Sequence, residues 1–225
     1  MSKPLTLPQS LLLLTLKDET GRPKGVFYKL AIAGAGVSEL LLRGLLSLTD
    51  DKKPKLVAAS GSANESPFLD FVLTQISAEK KQRNMQYWIA KLSKHKKLVP
   101  TLAEELCTLG ALTQETSKVL GLITITTWPE ASPKLETNLK AQLQKAITGS
   151  GEVEDRVSVI IALAKSADVL RHNFDRDILR SNKSRIKEIS NGDLLATGAT
   201  KTAIKAAQAA LTGAIAGGAA AAAAV

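Results

Sequence analysis

Apolar residues recur along the chain mostly at helical spacing, and strict alternation is confined to short stretches. The first block is LPQSLLLLTL, from Leu7 to Leu16. Thr6 stands where an N-cap belongs, and Gln9 three residues later can return the hydrogen bond of a capping box. Pro8 falls in the first turn, where its missing N–H does no harm. A lysine followed by leucines also opens a secretory signal, which needs an apolar run of about 7–15 residues and a small-residue cleavage site. Here the unbroken leucines run only from Leu11 to Leu14, and Lys17-Asp18-Glu19 closes the segment. A structural helix is the better reading.

A polar stretch from Lys17 to Lys24, with Gly21 and Pro23, predicts a turn or short hairpin. FYKLAIAGAGVSELLLRGLL follows, from Phe27 to Leu46. Its small residues Ala31, Ala33, Gly34, Ala35 and Gly36 would let a neighbouring helix approach closely. The segment is long enough to cross a bilayer, but Lys29, Glu39 and Arg43 inside it argue for a helix buried in protein. Leu45–Thr49 and Lys55–Ala58, either side of a charged tip, predict a β-hairpin.

Helices are expected over 66–79, 82–93 and 99–109, the last ended by Gly110. Lys118–Trp128 alternates and is β-branched, which predicts a strand. Ser132 as N-cap and Pro133 as first residue open a helix to Thr148, and two more run over Val153–His172 and Arg176–Ser190. The alanine-rich end favours helix to about Ile215 and then a frayed tail, because Gly217 and Gly218 interrupt it. The fold class expected is mainly α: a single compact helical domain with small peripheral β-hairpins. Residues 1–200 form the domain, and 201–225 the last helix and an Ala/Gly-rich tail.

Composition agrees with a globular chain: 225 residues, 44% apolar, 23% charged. Aromatics make up only 4%, so the core must be built from Leu, Ile, Val and Ala. The single cysteine, Cys107, excludes an intrachain disulfide and fits a reducing compartment. A net charge of +9 favours an anionic partner, whether nucleic acid, acidic protein or membrane surface.

Candidate chemistry is sparse. His95 and His172 lack metal-ligand spacing, and Cys107 has no base near it in sequence. Gly34-Ala35-Gly36 lacks the third glycine and preceding strand of a dinucleotide site. Glu104-Glu105 and Asp50-Asp51 fall on faces predicted to be exposed, without the contrasting environments of an acid/base pair. No enzyme, metal or cofactor is expected. Two basic groups remain: Lys91, Lys94, Lys96 and Lys97 around His95, and Arg22, Lys24 and Lys29 flanking Val26, Phe27 and Tyr28. Rings and aliphatic side chains beside cations suit a membrane interface, and Phe27 and Tyr28 equally suit the core.

"LTLPQSLLLLTLKDETG", followed by "SELLLRGLLSL", resembles the opening of the Golgi phosphoprotein 3 family, phosphoinositide-binding Golgi adaptors with prokaryotic relatives. "YWIAKLS", "LAEELCTLGALT", "WPEASPKLETNLKAQLQKAI" and "IIALAKSADVLRHNF" agree in the same order, over roughly residues 5–190. The resemblance implies a mostly helical domain that binds membranes through phosphatidylinositol 4-phosphate. It also implies a headgroup pocket of one tryptophan and arginines from two regions, beside a hydrophobic loop that enters the bilayer.

This chain departs at those positions. Gly25-Val26-Phe27-Tyr28 replaces the tryptophan region, the arginine of the following helix falls at Ala33, and the other two fall at Lys96 and Val99. Lysine supplies charge without the planar fork of arginine. A divergent or prokaryotic-type member is expected, binding anionic phospholipid headgroups through Lys24, Lys29, Lys94, Lys96 and Lys97. Val26, Phe27 and Tyr28 form its insertion edge. The alternative is an adaptor or scaffold whose basic face takes acidic protein segments or membrane-protein tails. Nucleic acid ranks lower because no recognition module is evident. The expected location is cytoplasmic and peripheral at a membrane, on the cytosolic face of the Golgi in a eukaryote. The family's self-association hairpin would lie near Gly149–Glu154, where the chain is short, and this leaves homo-oligomerisation open.

Overall fold

In the computed structural model, which describes residues 4–63, 65–119, 122–195 and 198–223, helix α1 (Leu7–Thr15) begins with the expected capping box. The Gln9 amide donates to Thr6 Oγ1 at 3.4 Å, and the Thr6 amide donates to Gln9 Oε1 at 2.9 Å. All residues of α1 are buried, so the leucine block is core. The chain then reverses in a tight turn closed by a Leu16–Pro23 bridge.

Helix α2 (Tyr28–Leu42) returns alongside α1 and is buried continuously from Ala31 to Leu40. A helix buried on every side must be apolar on every side. It packs against α1, α3 (Pro67–Ser77), α4 (Met85–Ser93), α7 (Asp155–Ser166) and α10 (Gly198–Ala223). The small residues explain how so many neighbours fit. A Cβ on Gly34 would stand 3.5 Å from both Ile89 of α4 and Leu163 of α7, and one on Gly36 only 2.9 Å from the Phe68 ring of α3. The helix stops short of the expected Leu46 because Gly44, at φ +69°, turns the chain into strand β1 (Leu46–Leu48).

Glu39 lies in this core with no exposed surface. Its Oε2 accepts the Leu7 amide at 2.9 Å and its Oε1 accepts Arg43 Nε at 2.8 Å. Arg156 of α7 clamps both oxygens, at 3.1 and 2.9 Å, and also donates to the Leu5 carbonyl. One carboxylate thus ties α1, α2 and α7 together.

Strand β1 pairs antiparallel with β2 (Leu56–Ala58), Leu46 opposite Ala58 and Leu48 opposite Leu56. The outer edge of β2 is covered by the α3–α4 connection: the Leu56 amide donates to the Arg83 carbonyl at 2.9 Å, and Lys55 bridges Asn84. Asn84 caps α4 through the Tyr87 amide, so the helix starts at Met85 rather than 82. Helix α5 (Leu98–Thr108) ends before Gly110, whose φ is +71°.

The single strand expected at Lys118–Trp128 is instead a hairpin, β3 (Glu115–Val119) with β4 (Ile123–Thr127), Glu115 opposite Thr127 and Val119 opposite Ile123. Alternation alone does not separate one strand from the two arms of a hairpin. Helix α6 (Lys134–Thr148) starts one residue late: Pro133, not Ser132, occupies the cap position, and no side chain caps it. The expected Val153–His172 helix is α7 alone, followed by a 3-10 turn at Leu170–His172. Asp168, at φ +63°, breaks the run, and aspartate is one of the few side chains that tolerate this conformation. The Arg176–Ser190 helix is likewise two, α8 (Arg176–Ser181) and α9 (Lys183–Asn191), divided at Asn182.

Helix α10 continues past Ile215 to Ala223, through Gly217 and Gly218, and crosses the expected boundary at 200/201. Ile204, Ala207, Leu211 and Ala214 form its buried stripe, and the helix packs on α2, α4 and α7. Gly149–Glu154 forms no hairpin: its Val153 instead makes a parallel bridge to Leu195. Among the described residues, no helix is long and apolar enough to cross a membrane.

Candidate functional site

The α1–α2 connection is locked at its base and open at its tip. Gly21, at φ +57°, lies against the backbone of Trp128 and Pro129, where a Cβ would run into the Trp128 carbonyl carbon. The Glu130 amide donates to the Asp18 carbonyl at 2.9 Å, a second tie to the same strand end. Lys24 is held by its amide on the Thr15 carbonyl and by its ammonium 3.4 Å from Asp18. A Cβ on Gly25, at φ +84°, would stand 3.6 Å from His172 Nε2.

Beyond it Val26 is 85% exposed. Phe27 and Tyr28 are half-buried and pack on the core, and burial pushes the Tyr28 hydroxyl pKa up. The Lys29 ammonium is exposed, 5.9 Å from the centre of the Tyr28 ring. Of the three residues assigned to the insertion edge, Val26 alone presents its whole side chain to solvent.

The α4–α5 connection carries the second group. Lys94, Lys96 and Lys97 are exposed, while His95 turns inward with its ring 4.7 Å from that of Phe71. His95 Nδ1 accepts the Lys97 amide at 3.2 Å. Lys97 occupies the cap position of α5, and no acid stands in that helix's first turn. Cations at a helix N-terminus add to the partial positive charge already there, which makes the end attractive to an anion. Ala33 and Val99, two of the positions where the family resemblance implies arginine, are buried and apolar; Lys96, the third, faces solvent. The first group thus neighbours His172 through Gly25, and the second neighbours α3 through His95 on Phe71. Among the described residues, no hydrogen bond or ion pair joins the two groups.

Two assignments from sequence change. Lys91 does not belong to the lysine loop: it bonds Glu79 at 3.1 Å and lies 4.8 Å over the Trp88 ring. That bond lowers the Glu79 pKa and raises that of Lys91. Glu105 is not a solvated acid: its carboxylate takes the Phe68 amide at 2.7 Å, Ser66 Oγ at 2.8 Å and Gln9 Nε2 at 2.8 Å, capping α3 from α5. A third basic group, Lys80-Lys81-Gln82-Arg83, escaped the sequence reading although three of its four residues are cationic. Cys107 is half-buried, and burial, with Glu104 nearby, raises its thiol pKa. Among the described residues, no three metal-ligating side chains cluster.

These features define a class of protein: a helical domain on one leucine-rich core that exposes basic connections and an apolar tip. Residues 7–207 match the Golgi phosphoprotein 3 (GPP34) family, and the chain belongs to it. It is also similar to a VPS74-like protein of Dictyostelium discoideum, 30% identical over 121 residues, which is 47% of this chain and 46% of that protein. The aligned region thus spans about half the length of the curated relative.

Proposed function

We propose that this protein is a non-catalytic adaptor of the cytoplasmic side that docks reversibly on anionic membrane surfaces. The observation that carries this reading is Val26, an aliphatic side chain 85% exposed on a loop with Lys24 at its base and Lys29 beyond it. An apolar tip beside ammonium groups suits the boundary between headgroups and acyl chains. Each lysine near an anionic surface contributes about 1 kcal/mol, and burying one valine contributes roughly 1.5 kcal/mol. Sums of that size give weak, salt-sensitive attachment. Family membership supports a Golgi-associated adaptor role, and acidic protein segments or membrane-protein tails are the protein partners this reading takes for the basic face. The apolar residues at Ala33 and Val99 favour recognition of negative charge over recognition of one phosphoinositide.

Flotation with vesicles tests the reading. Recovery is expected with phosphatidylcholine vesicles carrying phosphatidylserine or phosphatidylinositol 4-phosphate. It should be absent with phosphatidylcholine alone, and lower for Lys96→Ala. Equal recovery with neutral and anionic vesicles at low salt overturns it.

A further inference from the structure

The α3–α4 connection, away from both lysine groups above, gathers cations around two small cavities. One, of about 370 Å³, is floored by Leu56, Ile76 and Trp88. The other, of about 450 Å³, is walled by Lys80 and Lys91, and both cavities share Glu79, Lys81 and Arg83. Arg83 therefore stands between them.

Its position is fixed from three sides. The Arg83 carbonyl takes the Leu56 amide of β2 at 2.9 Å, and the adjoining Asn84 bridges Lys55. The guanidinium lies 4.9 Å over the Tyr87 ring, and its Nε–H has no partner. Glu79 is the carboxylate lining both cavities, and it already accepts from Lys91, from the Lys81 amide and from the Tyr87 hydroxyl. Among the described residues, no acid pairs with the side chains of Lys80, Lys81 or Arg83. Four cations thus converge on one carboxylate, on a backbone already held in place.

We propose that this connection is a binding site for a phosphate monoester. Such a group carries between one and two negative charges at neutral pH and three strong acceptor oxygens, enough to engage a guanidinium fork and more than one ammonium together. A single carboxylate would leave most of these donors unused. The cavities are wide enough to admit a phosphate group, and the planar Arg83, held over Tyr87, supplies the geometric selectivity that lysines lack. The bearer is either a lipid headgroup or a free phosphorylated small molecule. No residue of this site takes part in the docking edge around Val26 and Lys94–Lys97, so the two proposals stand or fall separately.

Amide chemical shifts of the whole protein, followed while inorganic phosphate replaces chloride at constant ionic strength, test the site. Saturable shifts are expected at Lys80–Asn84 and at the Trp88 indole. The Lys80→Gln/Lys81→Gln pair, on exposed side chains, should weaken apparent affinity about ten-fold with unchanged melting temperature. Arg83→Lys, which keeps the charge and removes the fork, should weaken it about three-fold or more. Val26→Asp should leave the phosphate shifts intact. Shifts that fail to saturate, spread over all surface lysines, or persist unchanged in the double variant overturn the proposal. Vesicles then separate the sources. A loss of binding to phosphatidic acid but not to phosphatidylserine in the double variant supports a lipid bearer. Saturable phosphate binding with vesicle recovery unchanged supports a soluble one.

Discussion

Glu39 carries a full charge into the centre of the core, and its surroundings explain why it stays ionised. Burial pushes its pKa up. Hydrogen bonds from Arg156 and the Leu7 amide, the charge of Arg156 and the bond from Arg43 together outweigh burial and hold it below the ordinary value of 4.5. A carboxyl whose folded pKa is depressed stabilises the fold above its unfolded value, and that contribution is lost as pH falls through the folded one. Stability measured by denaturant should therefore be flat above about pH 5 and decline in acid, and Glu39→Gln should flatten that decline. At neutral pH the same variant leaves Arg156 and Arg43 facing a neutral partner. It should cost about 3 kcal/mol, the low end for a broken buried pair because both arginines are partly exposed.

Gly21 is sensitive for a steric reason: Gly21→Ala puts a Cβ into the Trp128 backbone at positive φ and should cost roughly 3 kcal/mol or more in thermal or chemical unfolding. The charge at Glu39 was legible as an argument against a bilayer, and Arg43 lies one turn on, but Arg156, which clamps both oxygens, is 117 positions away and leaves no local trace. Gly21 read as a turn residue, which it is; that it leans on the strand end at Trp128, more than a hundred positions on, could not be read.

At the scale of elements, α1 was legible in full because its cap, its proline and its leucines all point the same way. The small residues of α2 likewise foretold close helix packing, and Gly34 and Gly36 supply it. The breaks at Asp168 and Asn182 were hidden because apolar spacing carries on across them and neither position holds Gly or Pro. Only the mild preference of Asp and Asn for non-helical backbone marked them. For α10 the error ran the other way, since the helix propensity of the surrounding alanines overcame a glycine pair worth about 1 kcal/mol per residue. The helix acts as a wall of the core through Leu211 and Ile204. Leu211→Ala should destabilise by about 3 kcal/mol, whereas Lys205→Ala, on the exposed face, should stay within about 0.5 kcal/mol. Equal effects from the two would show that α10 is not docked.

For the whole molecule, basic connections lie outside a core that contains few aromatics. Composition disclosed the excess charge, and the sequence named two of the three basic groups. It could not say which of Val26, Phe27 and Tyr28 faces outward, because three consecutive apolar residues at a helix start have no period. Nor could it reveal that Lys91 of α4 turns back to Glu79 in the α3–α4 connection. Val26→Asp should lower recovery on anionic vesicles several-fold while leaving the melting temperature unchanged, since the side chain it replaces supports no packing. A comparable drop in melting temperature would assign Val26 to the fold instead.

The clasp of Gly21 on Trp128 bears on the kinetics of any such encounter. A loop tied at its base keeps its tip near one place, so little conformational freedom remains to be lost when the tip meets a second phase. Ordering cost is then small and arrival is close to that of a rigid body. Differences in affinity among variants of the tip should accordingly appear in how long the protein stays, rather than in how fast it lands.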